Sequence, residues 1–242
     1  MRPQAVIFDM DGTLADSFAS IAQSLNHALV AKGFPPKDLQ WVKYNVGFGA
    51  RQLVQAAVGS EASEELLREV GQLFGEHYQA TYLEATPPLP GAGEVLAFVW
   101  AKTGGKVAVA SNKYATLSRR WLAHWHLDRW VPVVVGPDTA GTRKPDGAFL
   151  AKALTQLQVA PEDALYVGDM EVDVEAGRAA EVPVVGLAGP SRSANELWAA
   201  GAFFVISDLR ELPPLLQREG WGWEDADSQE TFGGEYDPEA IG

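Results

Sequence analysis

The chain has 242 residues, 47% hydrophobic and 21% charged, a balance that suits a soluble globular fold with one core or one core plus a smaller insert. Its net charge of −13 argues against a general nucleic-acid binder, whose partner demands a basic surface, and the absence of cysteine excludes disulfides, thiolate metal sites and a cysteine nucleophile. No apolar run is long enough to span a bilayer and no secretory signal precedes the first strand-like segment, so no membrane partner and a cytoplasmic location are expected.

Ala5-Val6-Ile7-Phe8 is a short apolar run ended by Asp9, Asp11 and Gly12. Such a run reads as a parallel strand buried on both faces. No strand pattern follows between Asp16 and Pro90. Phe18, Ile21, Leu25, Ala28 and Leu29 form one helical stripe; Leu66, Val70, Leu73, Phe74, His77 and Tyr78 form another; a shorter helix is predicted over 51–58. Strand-like runs resume at 106–110, 131–135, 164–167 and 183–187, with a sixth at 203–206, and helical spacing separates them at 94–101, 117–124, 148–157 and 174–180. Alternating strands and helices imply an α/β fold, a doubly wound parallel sheet carrying an inserted helical cap. The expected division is a core of 1–15 and 89–218, a helical cap of 16–88 and a tail of 219–242. The tail holds 8 acidic residues and no Lys or Arg, and is expected to dock weakly or not at all.

In such a sheet, polar catalytic groups gather beyond the carboxyl ends of the strands. Asp9 and Asp11, at i and i+2 past the first strand, can both project toward one point. Asp9 can act as a carboxylate nucleophile and Asp11 as a general acid and base, while Gly12 permits the turn and Thr13 anchors the loop. Ser111 and Asn112 follow the second strand, where a hydroxyl and helix-start N–H groups can bind phosphoryl oxygens. Lys144, after the third strand, can neutralise phosphate, with Arg143 the nearest competitor for that role. Asp169 follows the fourth strand and can complete an oxygen shell for Mg²⁺ with Asp9 and the backbone carbonyl of Asp11. Asp173 can bond metal waters or Lys144, and Glu171 should point elsewhere. Taken singly, each of the last three motifs reads as a helix cap or a solvated turn. Their order, each after its own strand, makes the site. His124 and His126 diverge on a helix and do not suggest zinc, and Trp121 and Trp125 read as packing.

With these motifs in place, the sequence resembles the haloacid dehalogenase superfamily of phosphohydrolases, and within it the phosphoglycolate phosphatases, from about Ala5 to Leu216. The resemblance implies Asp9 as nucleophile and Asp11 as general acid/base. It also implies Thr13, Ser111, Asn112, Lys113 and Lys144 as substrate-side residues, and Asp9, Asp11, Asp169 and Asp173 on the metal side with Mg²⁺ as cofactor. Val46-Gly47-Phe48-Gly49-Ala50 with Leu53-Val54, Pro90-Gly91 and Val134-Val135-Gly136 with Asp138 carry the likeness to phosphoglycolate phosphatases. Met170 and Asp146-Gly147 depart from that pattern. The implied activity is hydrolysis of a small phosphorylated metabolite by a monomer or homodimer. A sugar phosphomutase, a pyrophosphatase and a non-catalytic binding domain are the alternatives. Lys113, Lys43 and Arg51 are candidate contacts for a substrate carboxylate, Lys113 first.

Overall fold

The computed structural model describes residues 2–218, so the acidic tail lies outside it. All six predicted strands form: β1 (Ala5–Phe8), β2 (Val107–Ala110), β3 (Val133–Val135), β4 (Ala164–Gly168), β5 (Val184–Leu187) and β6 (Phe204–Ile206). They make one parallel sheet in the order β3-β2-β1-β4-β5-β6. The chain therefore winds outward from β1 in one direction through β2 and β3, and in the other through β4, β5 and β6. The crevice at the carboxyl end of β1, between β2 and β4, is the switch point where such sheets bind ligands.

Five helices lie between β1 and β2, of which the first four are α1 (Phe18–Ala31), α2 (Leu39–Asn45), α3 (Ala50–Val58) and α4 (Glu64–Ala85). The helices α5 (Ala92–Thr103), α6 (Ala115–His124), α7 (Pro137–Ala140), α8 (Gly147–Leu157), α9 (Glu171–Ala179), α10 (Ala194–Ala200) and α11 (Leu212–Gln217) complete the layers around the sheet. Alternation along the strands divides the core. Val6, Phe8, Val107, Val109, Leu165 and Val167 face α5 and α6, in a cluster that continues into Phe18, Leu25, Val70 and Phe74 of the first four helices. Ala5, Ile7, Ala108, Ala110 and Tyr166 face α8, α9 and α10.

The first four helices hold together because their stripes meet. Phe18, Ile21, Leu25, Ala28 and Leu29 of α1 are buried, as are Leu67, Val70, Phe74, Tyr78 and Tyr82 of α4. The buried face of α4 is thus turned slightly from the predicted stripe, with Leu66 and Leu73 only half-buried. Ser63 caps α4 by accepting from the Leu66 N–H at 3.2 Å, with Glu64 and Glu65 in the first turn complementing the helix dipole. Two chain crossings join these helices to the sheet side by side. Asp16 N–H donates to Pro87 O at 2.9 Å and Leu89 N–H to Leu14 O at 2.8 Å. Among the described residues no helix is long and apolar enough to cross a membrane.

Two helices carry signals not used in the sequence reading. Asp38 accepts from Trp41 N–H at 2.7 Å and starts α2. Ser193 and Glu196 form the reciprocal capping box of α10, a Ser-x-x-Glu pattern visible in the sequence.

Candidate active site

β1 ends by handing its next amide to β4: Asp9 N–H donates to Val167 O at 2.8 Å, which aims the Asp9 side chain past the sheet. The chain then coils tightly, with the N–H groups of Thr13, Leu14 and Ala15 all donating to Met10 O. Gly12 makes this coil possible. Its φ is +84°, and an added Cβ would overlap the Asp169 carboxylate and lie 2.8 Å from Phe18. Thr13 Oγ1 donates to Asp169 Oδ1 at 3.1 Å and so ties the β1 loop to the end of β4.

Asp169 directly follows β4, and α9 begins two residues later. Asp173 folds back over that start, accepting from Met170 N–H at 3.0 Å with Oδ2. A Cβ on Gly168 would overlap it, so the close packing depends on glycine there.

Lys144 arrives from the far side of α7, and its backbone is clamped by Asn112. Lys144 N–H donates to Asn112 Oδ1 at 2.9 Å, while Asn112 Nδ2 donates to Gly47 O at 2.9 Å and to Lys144 O at 3.3 Å. The side chain of Asn112 thus positions Lys144 and links it to the loop before α3. The ammonium, 1% exposed, donates to Asp9 Oδ1 at 2.7 Å, Asp173 Oδ1 at 2.6 Å and Tyr166 Oη at 3.1 Å. The Tyr166 hydroxyl also lies 2.9 Å from both Ala110 O and Asp173 Oδ1.

Oxygen atoms of Asp9, Asp169 and Asp173 lie within 4.8 Å of one another, all three residues buried. Burial raises the Asp9 carboxyl from 3.8 to about 6, Lys144 pulling it down and Asp173 pushing it up. Burial, then the charges of Asp173 and Asp9, hold Asp169 well above the carboxylate range. For Lys144 burial opposes the charge, but Asp173 and Asp9 outweigh it and hold the ammonium above its ordinary range. One positive charge among three buried carboxylates leaves the cluster short of cation. Asp169 Oδ2 is also buried without a hydrogen-bond partner. An orphaned carboxylate oxygen in an all-oxygen cluster is the donor set a hard divalent cation takes, so the residues fit a metal.

Asp11 turns the other way. Lys113 Nζ donates to Asp11 Oδ1 at 2.7 Å, to Asp11 Oδ2 at 2.9 Å and to Tyr78 Oη at 2.7 Å. The side chain of Asp11 therefore lies outside the carboxylate cluster, in a second charged group that reaches α4. Burial opposes the Lys113 charge, but Asp11 and Tyr78 more than restore it. Ser111 is buried beside Asp9, and its Oγ accepts from Lys113 N–H at 3.3 Å. A cavity of about 270 Å³ lies between these residues and the first four helices, with Asp9, Asp11, Ser111 and Lys113 on one wall and Leu53, Phe74 and Tyr78 on the other.

Residues 6–187 match the family of haloacid dehalogenase-like hydrolases. The chain belongs to that family. As a haloacid dehalogenase-like hydrolase it has close company among curated phosphatases. The phosphoglycolate phosphatase of Pseudomonas putida is 32% identical over 217 residues, 88% of this chain and 79% of the relative. That of Aquifex aeolicus is 34% identical over 177 residues, 73% of this chain and 81% of the relative. The crystal structure of a predicted phosphoglycolate phosphatase from Haemophilus somnus shares the fold, with a TM-score of 0.81 at 23% identity over 90% of this chain and 99% of that one. This haloacid dehalogenase-like hydrolase is accordingly an enzyme of the phosphatase kind.

In the sequence Tyr166 and Tyr78 are only members of an apolar strand and a helical stripe. No sequence signal marks Tyr166, because a buried tyrosine in a strand is ordinary. Glu171 points away from the cluster, as its helix position predicts, and pairs with Arg192, whose guanidinium donates to Glu171 Oε1 at 2.6 Å and lies over the Tyr44 ring at 4.0 Å. His124 lies 3.7 Å from Glu84 and His126 leaves the helix with φ of +56°, so the two histidines do not converge.

Proposed function

We propose that the protein is a Mg²⁺-dependent phosphomonoesterase that works through an aspartyl-phosphate on Asp9, with a small phosphorylated metabolite of the phosphoglycolate type as substrate. The observation that carries this reading is the junction at Asp9: a buried carboxylate, bonded to Lys144, at the edge of a three-carboxylate cluster and open to the cavity. Curated relatives named phosphoglycolate phosphatase support the substrate class.

Asp9, Asp169 and the backbone of Asp11 would hold the metal, with Asp173 behind them; bound there, it would neutralise charge on the phosphoryl oxygens and on Asp9. Asp9 attacks phosphorus and the ester oxygen leaves, taking a proton from Asp11. Asp11 then takes a proton from water, which attacks the acyl-phosphate and releases orthophosphate, regenerating the Asp9 carboxylate. Lys144 offsets repulsion between Asp9 and the incoming phosphate, and Ser111 offers a donor to a phosphoryl oxygen. Asp11 paired with Lys113 is the carboxylate, the form it takes after giving up its proton; as the acid it must be protonated and turned from Lys113 toward the leaving oxygen. Residues 16–88 serve as a cap hinged at the paired crossings near Leu14 to Asp16 and Pro87 to Leu89, with 1–15 and 89–218 as the core.

The test is phosphate release from a panel of small phosphoesters with Mg²⁺, in wild type and Asp9→Asn. The expected outcome is turnover and an acid-stable, base-labile phosphoenzyme in wild type and neither in the variant. Unchanged turnover in Asp9→Asn would overturn the reading, and isomerised sugar phosphate without released phosphate would favour the mutase.

A further inference from the structure

Three cationic side chains line the cavity over Asp9: Arg51, Lys113 and Arg143. Two of them are already neutralised. Arg51 Nη2 donates to both carboxylate oxygens of Glu64, at 2.7 and 2.8 Å. Lys113 is paired with Asp11. Arg143 differs: its Nη1 donates at 3.0 Å to the amide oxygen of Gln52, a neutral acceptor, and it makes no ion pair among the described residues. One of five guanidinium donors is used, and the exposed guanidinium carries its positive charge with no carboxylate against it.

Its placement suits recognition better than catalysis. Arg143 precedes Lys144, whose backbone Asn112 fixes, so its own main chain is anchored to the catalytic wall. Its guanidinium reaches across to the opposite wall, where Nη1 would sit 3.4 Å from a Cβ on Gly49 and meets Gln52 of α3. It therefore spans the cavity between the loop that carries Lys144 and the helical segment. Lys144 is buried against Asp9, Asp173 and Tyr166 at the phosphate end of the cavity, so it cannot also reach a carboxylate at the other end of the substrate.

We propose that Arg143 is the specificity-determining residue of the cavity, selecting phosphoesters whose leaving group carries a carboxylate. This rests on the phosphomonoesterase reading. The planar fork of the guanidinium matches a carboxylate through two parallel N–H donors, a fit that an ammonium cannot reproduce. The carboxylate competes with the neutral Gln52 oxygen for those donors and wins by its charge. A substrate bound in this way touches both sides of the cavity at once: its phosphate at Asp9 and Lys144, its carboxylate at Arg143.

The experiment compares kcat/KM for phosphoglycolate with that for 2-hydroxyethyl phosphate, a neutral-tailed ester of the same chain length, in wild type, Arg143→Gln, Arg143→Lys and Lys113→Met. Thermal unfolding of each variant establishes that it folds. Wild type should favour phosphoglycolate, and Arg143→Gln should lower the ratio of the two kcat/KM values by about 10- to 100-fold, mainly through the KM for phosphoglycolate. Arg143→Lys should recover part of the ratio. An unchanged ratio in Arg143→Gln overturns the proposal, as does an equal loss on both esters, which marks a general role in phosphate binding or folding. A ratio that collapses in Lys113→Met while Arg143→Gln keeps it transfers the role to Lys113 and refutes the assignment. Turnover of neither ester by wild type, with other phosphoesters hydrolysed, sinks this inference alone; no phosphoester hydrolysed at all sinks the phosphatase reading with it.

Discussion

Removing the Lys144 charge while keeping its bulk, as in Lys144→Met, tests the electrostatic reading of the site directly. The ammonium sits 2.7 Å from Asp9 Oδ1 and 2.6 Å from Asp173 Oδ1, with side-chain exposures of 1%, 3% and 0% for the three residues. At an effective dielectric constant of about 20, each contact contributes ~6 kcal/mol of attraction. Desolvating the three charges offsets much of this, so the net cost of removing the central partner is about 3–5 kcal/mol. For a chain of this size that corresponds to a fall in Tm of roughly 6–20 °C. The assay is thermal unfolding at pH 7.5 in EDTA, followed by a Mg²⁺ titration. Mg²⁺ should stabilise the variant more than the wild type, because the carboxylates have lost their internal cation. Lys144→Met combined with Asp173→Asn should recover part of the lost stability by relieving the repulsion. A metal-free Lys144→Met protein as stable as wild type would mean that the three carboxylates carry no net charge conflict, and the argument for a cation site would fail with it.

Two further outcomes are expected. The folded-state carboxyl of Asp9 is raised to about 6 from 3.8, and that of Asp169 is held well above the ordinary carboxylate range, so a metal must displace protons from both. In the metal-free protein these raised groups oppose folding as pH rises from about 4 through 6, whereas Mg²⁺ binds more tightly over the same range. The Tm increment produced by saturating Mg²⁺ should therefore grow from pH 5 to pH 7; an increment independent of pH would contradict the assignment. Gly12→Ala should cost about 2–5 kcal/mol, from the positive φ together with overlap against Asp169 and Phe18, and should weaken Mg²⁺ binding at least tenfold, measured by calorimetry. Native stability and affinity in that variant would show that the loop has room the geometry denies.

What the sequence determined alone was the sheet and the chemical groups at its edge. A buried parallel strand is a continuous apolar run, and the residue that ends it must stand at the sheet's carboxyl edge. Asp9, Ser111 and Asp169 could therefore be located from Phe8, Ala110 and Gly168 without any knowledge of contacts. The helices between β1 and β2 were legible for the same reason, through stripes at helical spacing, although α2 was hidden by its short length.

Only the tertiary structure decided which charge meets which. Lys113 and Lys144 are both ammonium groups on flexible stems near the same edge, and spacing cannot tell that one goes to Asp11 and the other to Asp9. Tyr166, Tyr78 and the clamping by Asn112 were likewise invisible, because a hydroxyl or amide gains its role from a partner 22 to 65 residues away in the chain. The same holds for Arg143, which stands out because the other two cations lining the cavity found carboxylates and it did not. Local pattern dictates where backbone hydrogen bonds and apolar surface must go; the pairing of long charged side chains depends on three-dimensional distance, which the fold alone sets.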